Sequence, residues 1–479
     1  MRKIKNWFTG EDNLLLLATI SAVVLGGALG FGLRYANLSA RTISLIGFPG
    51  ELLMRMLKCV ILPMIITSII ASLVQLDIVA SGKMGRVTVG YYMLSTTLAI
   101  TLSTILVASI GPGYFTHSET NNQTEVKDNS LDTVLDLIRH AFPENIFRAT
   151  LQEQKTIATT VFDSETNSTY IERELVYDDS PNVLGIVIAC IVFGFIASKL
   201  NKEVGTVITF FVQLENIIKT LLAWILWYGP IGTFFLIAGN ILEVEDMEKT
   251  LSALGMYICC SLTGLMVHFF LVLPLLCFIL TRRNPYRFLL NQAPAWFNVL
   301  GHSSSSAALP ITSRCLEDRN GIDHRVSCFV LPTGATINID GAALYEAMAT
   351  VFVAQLHRMP LSLGRIIAII VTVTLSSVGS SSLPGAGLIS VLPVLAPITV
   401  TNADVAMLIT VDWFVDRIRT CNNVMGDSIA ACIVNHFCKN DLQKNSLESP
   451  KDKKETAETS DCLQNGYHVG SPTQVHIRL

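Results

Sequence analysis

The sequence predicts an all-α polytopic membrane protein: eight transmembrane helices plus two re-entrant helical hairpins arranged as inverted repeats. Three observations carry that expectation. The 479 residues are 51% hydrophobic and only 15% charged, with a mean hydropathy of +0.49, whereas soluble domains carry about 25% charged residues. Two apolar units too short to cross a bilayer end in serine-rich tips closed by Leu309-Pro310 and Leu383-Pro384. Finally, Val411 to Asp427 (VDWFVDRIRTCNNVMGD) sets five charged residues into a stretch that otherwise reads as membrane.

That last stretch organises the rest. On a helix advancing about 100° per residue, Asp412, Asp416, Arg419, Asn423 and Asp427 form one stripe, opposite Phe414, Ile418, Cys421, Met425 and Ile429. A charge at mid-bilayer costs roughly 2.5–3.5 kcal/mol, so four facing lipid would cost on the order of 10–14 kcal/mol. The stripe is expected to line a wet or ion-filled interior. The plainer alternative is a structural ion-pair network.

The net charge of −4 gives no reason to expect a nucleic-acid partner. No cysteine lies between Gly113 and Pro181, the long polar stretch, so no disulfide framework is implied there. No paired Cys/His spacing implies a metal site. Arg2, Lys3 and Lys5 precede an apolar run from Asn13 to about Leu33, read as a retained first span with a cytoplasmic N-terminus. A second span covers about Ile43 to Val74, with Arg55 and Lys58 snorkelling to an interface. Lys83 and Arg86 mark a cytoplasmic turn before a third span, about Val87 to Ile110. The polar stretch from Gly113 to Pro181 holds sequons at Asn122 and Asn167, acceptable glycan sites if it is extracellular. Spans resume at about Asn182–Ser198, Val207–Leu242 and Leu251–Leu280.

Phe288 to Leu300 is apolar but short and leads to Gly301-His302-Ser303-Ser304-Ser305-Ser306. A second short arm returns to Arg314, Arg319 and Arg325, so both flanks are basic, as in a re-entrant hairpin. The next span, Val326 to Val353, is interrupted at Gly334-Ala335-Thr336-Ile337-Asn338-Ile339-Asp340-Gly341, where a helix is expected to unwind and turn carbonyls toward a cation. Leu363 to about Val400 repeats the hairpin around Ser377-Val378-Gly379-Ser380-Ser381-Ser382-Leu383-Pro384-Gly385, and the charged helix follows. The first unit starts inside and the second outside, so the repeat is inverted, the plan by which secondary transporters place a site at mid-membrane. From Lys439 the chain is polar and is expected to be a disordered cytoplasmic tail.

Hairpin tips offer free backbone N–H groups to carboxylates. Arg419 can fork two hydrogen bonds onto an acidic group, and Asp416 suits a substrate ammonium. Asp340, Asp427, Asn338 and Asn423 are hard oxygen ligands suited to Na⁺. Glu346, two turns beyond Asn338, is a candidate proton carrier, the alternative being a helix-end carboxylate at the interface. An intramembrane serine hydrolase is not expected, because only His302 accompanies Ser303–Ser306 and adjacency is poor geometry for a base.

At these residues the sequence resembles the excitatory amino acid transporter family, the sodium-coupled glutamate/aspartate symporters of animals. The likeness runs from Asn13 to about His436 and includes FPGELLMRMLK (Phe48–Lys58), SSSSAALP (Ser303–Pro310), GATINIDGAALYEA (Gly334–Ala347) and the charged helix up to Asp427. It implies a carrier rather than an enzyme: a plasma-membrane homotrimer with cytoplasmic termini and an elevator-type transport domain. The implied division is an N-terminus (1–12), scaffold helices (13–86 and 182–250), transport helix 3 (87–112), an extracellular loop (113–181), a transport domain (251–437) and a tail (438–479). No bound cofactor is implied; Na⁺ and H⁺ are co-transported, K⁺ is counter-transported, and Cl⁻ passes through an uncoupled conductance. The family's Na⁺ ligands match Gly334, Asn338, Asn423 and Asp427; Tyr92, Ser95, Thr96, Asn338 and Asp340; and Thr336, Ser377, Val378 and Ser380. Substrate contacts match Ser303, Ser304, Ser305, Leu383, Gly387, Asp416, Arg419, Thr420 and Asn423, and proton and K⁺ coupling matches Glu346. Ala342 departs from the family's threonine, which widens the pocket and leaves Arg419 with less help; L-aspartate is expected over L-glutamate, with a sulfonate amino acid such as taurine as a further candidate. A neutral amino acid exchanger of the same fold, or a substrate-gated anion channel with little coupled transport, is the alternative.

Overall fold

The structure, a computed structural model, describes residues 11–36, 38–75, 82–115, 130–163, 168–200, 203–244, 247–359, 361–377, 391 and 402–448. In chain order these form α1 (Glu11–Arg34), α2 (Ala40–Gln75), α3 (Gly82–Ile110), α4 (Ser130–Ala141), α5 (Ile146–Ala149), β1 (Glu153–Asp163), β2 (Ser168–Asp178), α6 (Val183–Lys199) and α7 (Gly205–Glu243). Then come α8 (Met247–Val267), which passes through a π-turn at His268–Val272 into α9 (Leu273–Thr281), α10 (Pro285–Asn291), α11 (Ala293–His302) and α12 (Ser305–Arg314). The last four are α13 (His324–Ile337), α14 (Asp340–Leu356), α15 (Leu363–Ser377) and α16 (Asn402–Glu448).

Among the described residues six helical stretches are long and apolar enough to cross a membrane: Leu17–Arg34, Ala40–Val74, Gly82–Tyr114, Gly205–Glu243, Met247–Thr281 and His324–Leu356. The expected fourth span is the shorter α6, and the eighth lies within α16, whose charged stripe lowers its hydropathy. The protein is thus a helical polytopic membrane protein. Its buried apolar side chains gather in three clusters. One joins α2, α6 and α7; the other two wrap α14 and the core of α16 with α3, α8, α9, α11, α12 and α13. α7 packs along both α1 and α2. Small residues allow that approach: a Cβ built on Gly239 would lie 3.1 Å from the Gly47 Cα, the close backbone contact by which membrane helices gain packing energy.

Three local features add to the sequence expectations or modify them. The polar stretch after α3 carries secondary structure of its own. It holds α4 and an antiparallel β1–β2 pair in register from Glu153 opposite Asp178 to Asp163 opposite Ser168. Asp136 fastens the two together, accepting hydrogen bonds from the Thr156 N–H (2.9 Å) and hydroxyl (2.6 Å) and from Arg139 (2.7 Å). The tail expected from residue 438 starts later, since α16 continues to Glu448. No Gly or Pro interrupts Lys439–Glu448, and Asp441 pairs with Lys83 at 3.0 Å. Arg55 pairs with Glu51 one turn before it at 2.8 Å.

Between α14 and α16, His357 Nε2 lies 2.8 Å from Asp404 Oδ2. The hydrogen bond to Asp404 raises the His357 pKa above the usual imidazole range. The folded protein therefore holds this proton more tightly than the unfolded chain. The pair's contribution is fully present below the unfolded pKa of about 6.5 and fades as pH rises through the raised value. Part of the imidazole reaches solvent, which limits the pair to about 1 kcal/mol. The expected result is a small melting-temperature advantage of the wild type over His357→Asn at pH 6 that shrinks by pH 9. An advantage independent of pH would mean that the pair contributes packing and not charge.

Candidate functional site

The helix carrying Gly334 to Gly341 is broken where the sequence predicts. α13 ends at Ile337, Asn338 and Ile339 leave helical geometry, and α14 begins at Asp340. Asn338, Asp340 and Glu346 are all fully buried, at 0% exposure. Two other elements close on the break. From α3, Thr96 donates to Asp340 Oδ1 at 2.7 Å, and Ser95 donates to Asn338 Oδ1 at 3.2 Å and Asp340 Oδ1 at 3.3 Å. The Tyr92 hydroxyl donates to the Val330 carbonyl at 2.8 Å. From α16, Asp427 Oδ1 accepts from Asn338 Nδ2 at 3.1 Å, and Asn423 Oδ1 accepts from the Gly341 N–H at 2.7 Å.

Two glycines make these approaches possible. A Cβ at Gly341 would overlap the Arg419 carbonyl oxygen, and one at Gly334 would overlap the Asp427 carboxylate while lying 2.9 Å from the Tyr92 hydroxyl. The backbone of the break is thus laid directly on α16. Of the expected ligand residues, Asn338 meets Asp427, Gly334 lies against the Asp427 carboxylate, Asn423 meets the Gly341 N–H, and Ser95 and Thr96 meet Asp340. Asp340 Oδ2 is buried without a hydrogen-bond partner among the described residues. A buried carboxylate oxygen in that condition is costly unless a cation meets it.

The stripe on α16 is buried as expected: Asp412, Asp416, Arg419, Asn423 and Asp427 are each 6% exposed or less. Cys421, Met425 and Ile429, on the opposite side, pack into an apolar cluster, and Phe414 is exposed. Arg419 spans two carboxylates. Its Nε and Nη2 donate to Asp416 Oδ1 at 2.9 and 2.6 Å, and its Nη1 donates to Asp412 Oδ1 at 2.9 Å. Its guanidinium also lies 5.0 Å from the centre of the Tyr345 ring, within cation–π range. The structure therefore contains the ion-pair network offered as the plainer reading, on the same helix as the candidate ion ligands Asn423 and Asp427. Among the described residues of this region the buried carboxyls outnumber the buried guanidinium: Asp340, Glu346, Asp412, Asp416 and Asp427 are buried, and Arg419, which pairs with Asp412 and Asp416, is the one arginine buried with them. Such an excess is sustained only with cations or protons bound.

The first hairpin tip also meets α16. Ser303 closes α11 in a left-handed conformation (φ 56°), Ser304 caps α12 by accepting from the Ala307 N–H, and Ser305 is buried. Arg417 donates to the Leu300 carbonyl at 2.5 Å and the Gly301 carbonyl at 2.7 Å, placing a positive charge at the C-terminal end of α11. Arg417 lies off the stripe of Asp412, Asp416, Arg419, Asn423 and Asp427. The Thr420 hydroxyl donates to the Asp416 carbonyl at 2.6 Å, within its own helix. Glu346 sits inside α14 at 0% exposure and is not a helix-end carboxylate. Thr336 is half-buried and Ser377 buried. Val378, Ser380, Leu383 and Gly387 lie outside the described residues, as do Asn122 and Asn167. A residue not foreseen is His268, on the π-turn: it is fully buried, with Nδ1 3.1 Å from Asn422 Oδ1. Only the fold reveals that neighbour.

Broken helix, charged stripe and hairpin tip together define a multi-pass membrane protein whose polar residues converge on a buried, carboxylate-rich interior. The sodium:dicarboxylate symporter family model matches residues 15–437. The chain is 44% identical over 448 residues to an excitatory amino acid transporter of Caenorhabditis elegans, covering 90% of this chain and 89% of that one. It is 42% identical over 462 residues to excitatory amino acid transporter 3 of Mus musculus (92% and 88%). It is 41% identical over 458 residues to excitatory amino acid transporter 2 of Homo sapiens (90% and 80%). The chain belongs to the sodium:dicarboxylate symporter family, whose members are transporters and not enzymes.

Proposed function

We propose that this protein couples inward Na⁺ movement to uptake of an acidic amino acid across the plasma membrane, preferring L-aspartate to L-glutamate. The observation that carries the reading is a helix break, with Asp340 buried in it and Asp427 bonded to Asn338, laid on the same helix that carries the buried Arg419–Asp412–Asp416 pairing. The carboxylate excess calls for cations, and the one guanidinium supplies an anchor for a substrate carboxylate. In this structure Arg419 is engaged by Asp412 and Asp416, so a substrate acid group would exchange with one of them and leave Asp416 to meet the substrate ammonium. Na⁺ would be held by the Gly334–Asn338–Asn423–Asp427 and Tyr92–Ser95–Thr96–Asn338–Asp340 groups, with a third site around Thr336, Ser377, Val378 and Ser380.

The aspartate preference follows from Ala342, buried at 6% exposure, which offers no hydroxyl to a longer side chain. Glu346, buried in α14, is the proposed carrier of H⁺ inward and the switch for K⁺ counter-transport. The homotrimer and the uncoupled anion conductance are carried over from the family resemblance; the cytoplasmic N-terminus rests on Arg2, Lys3 and Lys5, the cytoplasmic tail on the polar sequence from Lys439, and glycosylation on the sequons at Asn122 and Asn167. Uptake of radiolabelled aspartate, glutamate, taurine and alanine by cells expressing the protein tests the substrate class. Aspartate is expected to lead; dominant alanine uptake would refute the acidic assignment and favour the neutral exchanger.

A further inference from the structure

Beside the Arg419–Asp412 pair, three hydroxyls are buried without a hydrogen-bond partner among the described residues: those of Tyr257, Ser261 and Tyr345. All three side chains are 0% exposed. Tyr257 and Ser261 stand one turn apart on α8 and share a face, and Tyr345 comes from α14. α8 packs against both α14 and α16, which brings the hydroxyls together. The Tyr257 and Tyr345 ring centres are 6.3 Å apart, and Phe352, stacked on Tyr257 at 4.5 Å, holds that ring in place. The Tyr257 hydroxyl neighbours those of Ser261 and Tyr345, and the Tyr345 hydroxyl neighbours Asp412. The order Ser261, Tyr257, Tyr345 therefore leads from α8 to the carboxylate that pairs with Arg419 at 2.9 Å.

Buried hydroxyls without partners are costly, and phenylalanine or alanine would fill the same space without that cost. Their place beside an ion pair points to a second arrangement of the pair in which they are used. Asp412 is the partner able to change. Arg419 gives Asp416 two hydrogen bonds, from Nε and Nη2, but gives Asp412 only one, from Nη1. A substrate acid group that enters on Nη1 displaces the more weakly held carboxylate. Asp412 then stays buried and charged, and needs donors in place of the guanidinium. A tyrosine hydroxyl can donate to a carboxylate while accepting from another hydroxyl, so a chain of three meets that need and polarises toward the charge.

We propose that Tyr345, Tyr257 and Ser261 are positioning residues for acidic-substrate binding, receiving the Asp412 carboxylate when a substrate carboxylate takes its place on Arg419. The inference rests on the acidic-substrate reading given above. Tyr345 donates to Asp412, Tyr257 to Tyr345 and Ser261 to Tyr257. Every proton stays on its own oxygen, and only hydrogen bonds change. A neutral amino acid, with no side-chain acid group, leaves Asp412 on Arg419 and the hydroxyls idle.

The test melts purified full-length protein with and without L-aspartate at saturating Na⁺, comparing the wild type with Tyr345→Phe, Tyr257→Phe and Ser261→Ala. Without substrate the variants are expected to melt no lower than the wild type, because each removes a hydroxyl that has no partner there. With substrate they should need more L-aspartate for the same upward shift. The increase should be at least about tenfold for Tyr345→Phe, the worth of one hydrogen bond to a charged group, and smaller for the two residues behind it. The shift produced by Na⁺ alone should match the wild type, which separates the three hydroxyls from the ion ligands. If the wild type responds to L-aspartate and the variants respond at the same concentrations, the proposal is overturned and the acidic-substrate reading stands. Variants that melt lower without substrate would also overturn it, since the hydroxyls would then be bonded already in the substrate-free protein. A wild type that responds to no acidic amino acid would overturn that reading and the inference with it.

Discussion

Arg419→Cys is expected to abolish acidic amino acid uptake while the protein still reaches the cell surface. Removing one partner of a buried, hydrogen-bonded charge pair costs about 2–5 kcal/mol, at least about thirtyfold in affinity at 1.4 kcal/mol per decade. The loss should be selective, since a neutral amino acid has no second acid group to lose. A complication is stability, because Asp412 and Asp416 both lean on this guanidinium at 2.9 and 2.6 Å. Deleting it leaves two buried carboxylates unpaired, at a cost of about 3–5 kcal/mol. Arg419→Lys separates the two effects: it retains the charge, and so the fold, but loses the planar fork. It should express normally and still transport acidic substrates poorly. Radiolabelled uptake beside surface biotinylation measures both; unchanged uptake in Arg419→Cys would remove the residue from its role.

Asp427→Asn is expected to raise the Na⁺ concentration for half-maximal uptake by at least about tenfold, on the rule that ligand charge sets cation affinity. The substituted amide still reaches Asn338, whose Nδ2 now donates to Asp427 Oδ1 at 3.1 Å, so the fold should survive. Asp340→Asn should behave alike through the neighbouring group, where Thr96 and Ser95 address Asp340 Oδ1 and Oδ2 has no partner among the described residues. Uptake measured over a Na⁺ series checks both. A wild-type Na⁺ response in either variant would take that carboxylate out of the ion-binding set.

Much of the cavity was legible because membrane burial makes polar residues conspicuous. The spacing of Asp412, Asp416, Arg419, Asn423 and Asp427 placed them on one helix face, and the cost of exposing charge to lipid turned that face inward. The break at Asn338 followed from Gly, Asn and Asp inside an apolar run. What was not legible depends on long-range contacts or on signals shared by different structures. Arg417 meets carbonyls 116 and 117 residues earlier in the chain, and no local pattern marks that distance. His268 gains its Asn422 neighbour only when a π-turn in one helix faces another helix. The β1–β2 pair lies in a stretch judged by the absence of a transmembrane signal, a test blind to strands of 11 residues. Lys439–Glu448 has a polar composition that suits a solvated helix as well as a disordered tail.

On the proposed function, Na⁺ neutralises the carboxylate excess at the broken helix and thereby couples ion to substrate, and purified protein in sealed proteoliposomes provides the decisive measurement. An inward Na⁺ gradient should drive radiolabelled aspartate above its external concentration, and collapsing the gradient with a sodium ionophore should release it. Accumulation of the same size with choline in place of Na⁺, or mere equilibration with the gradient intact, would contradict the account.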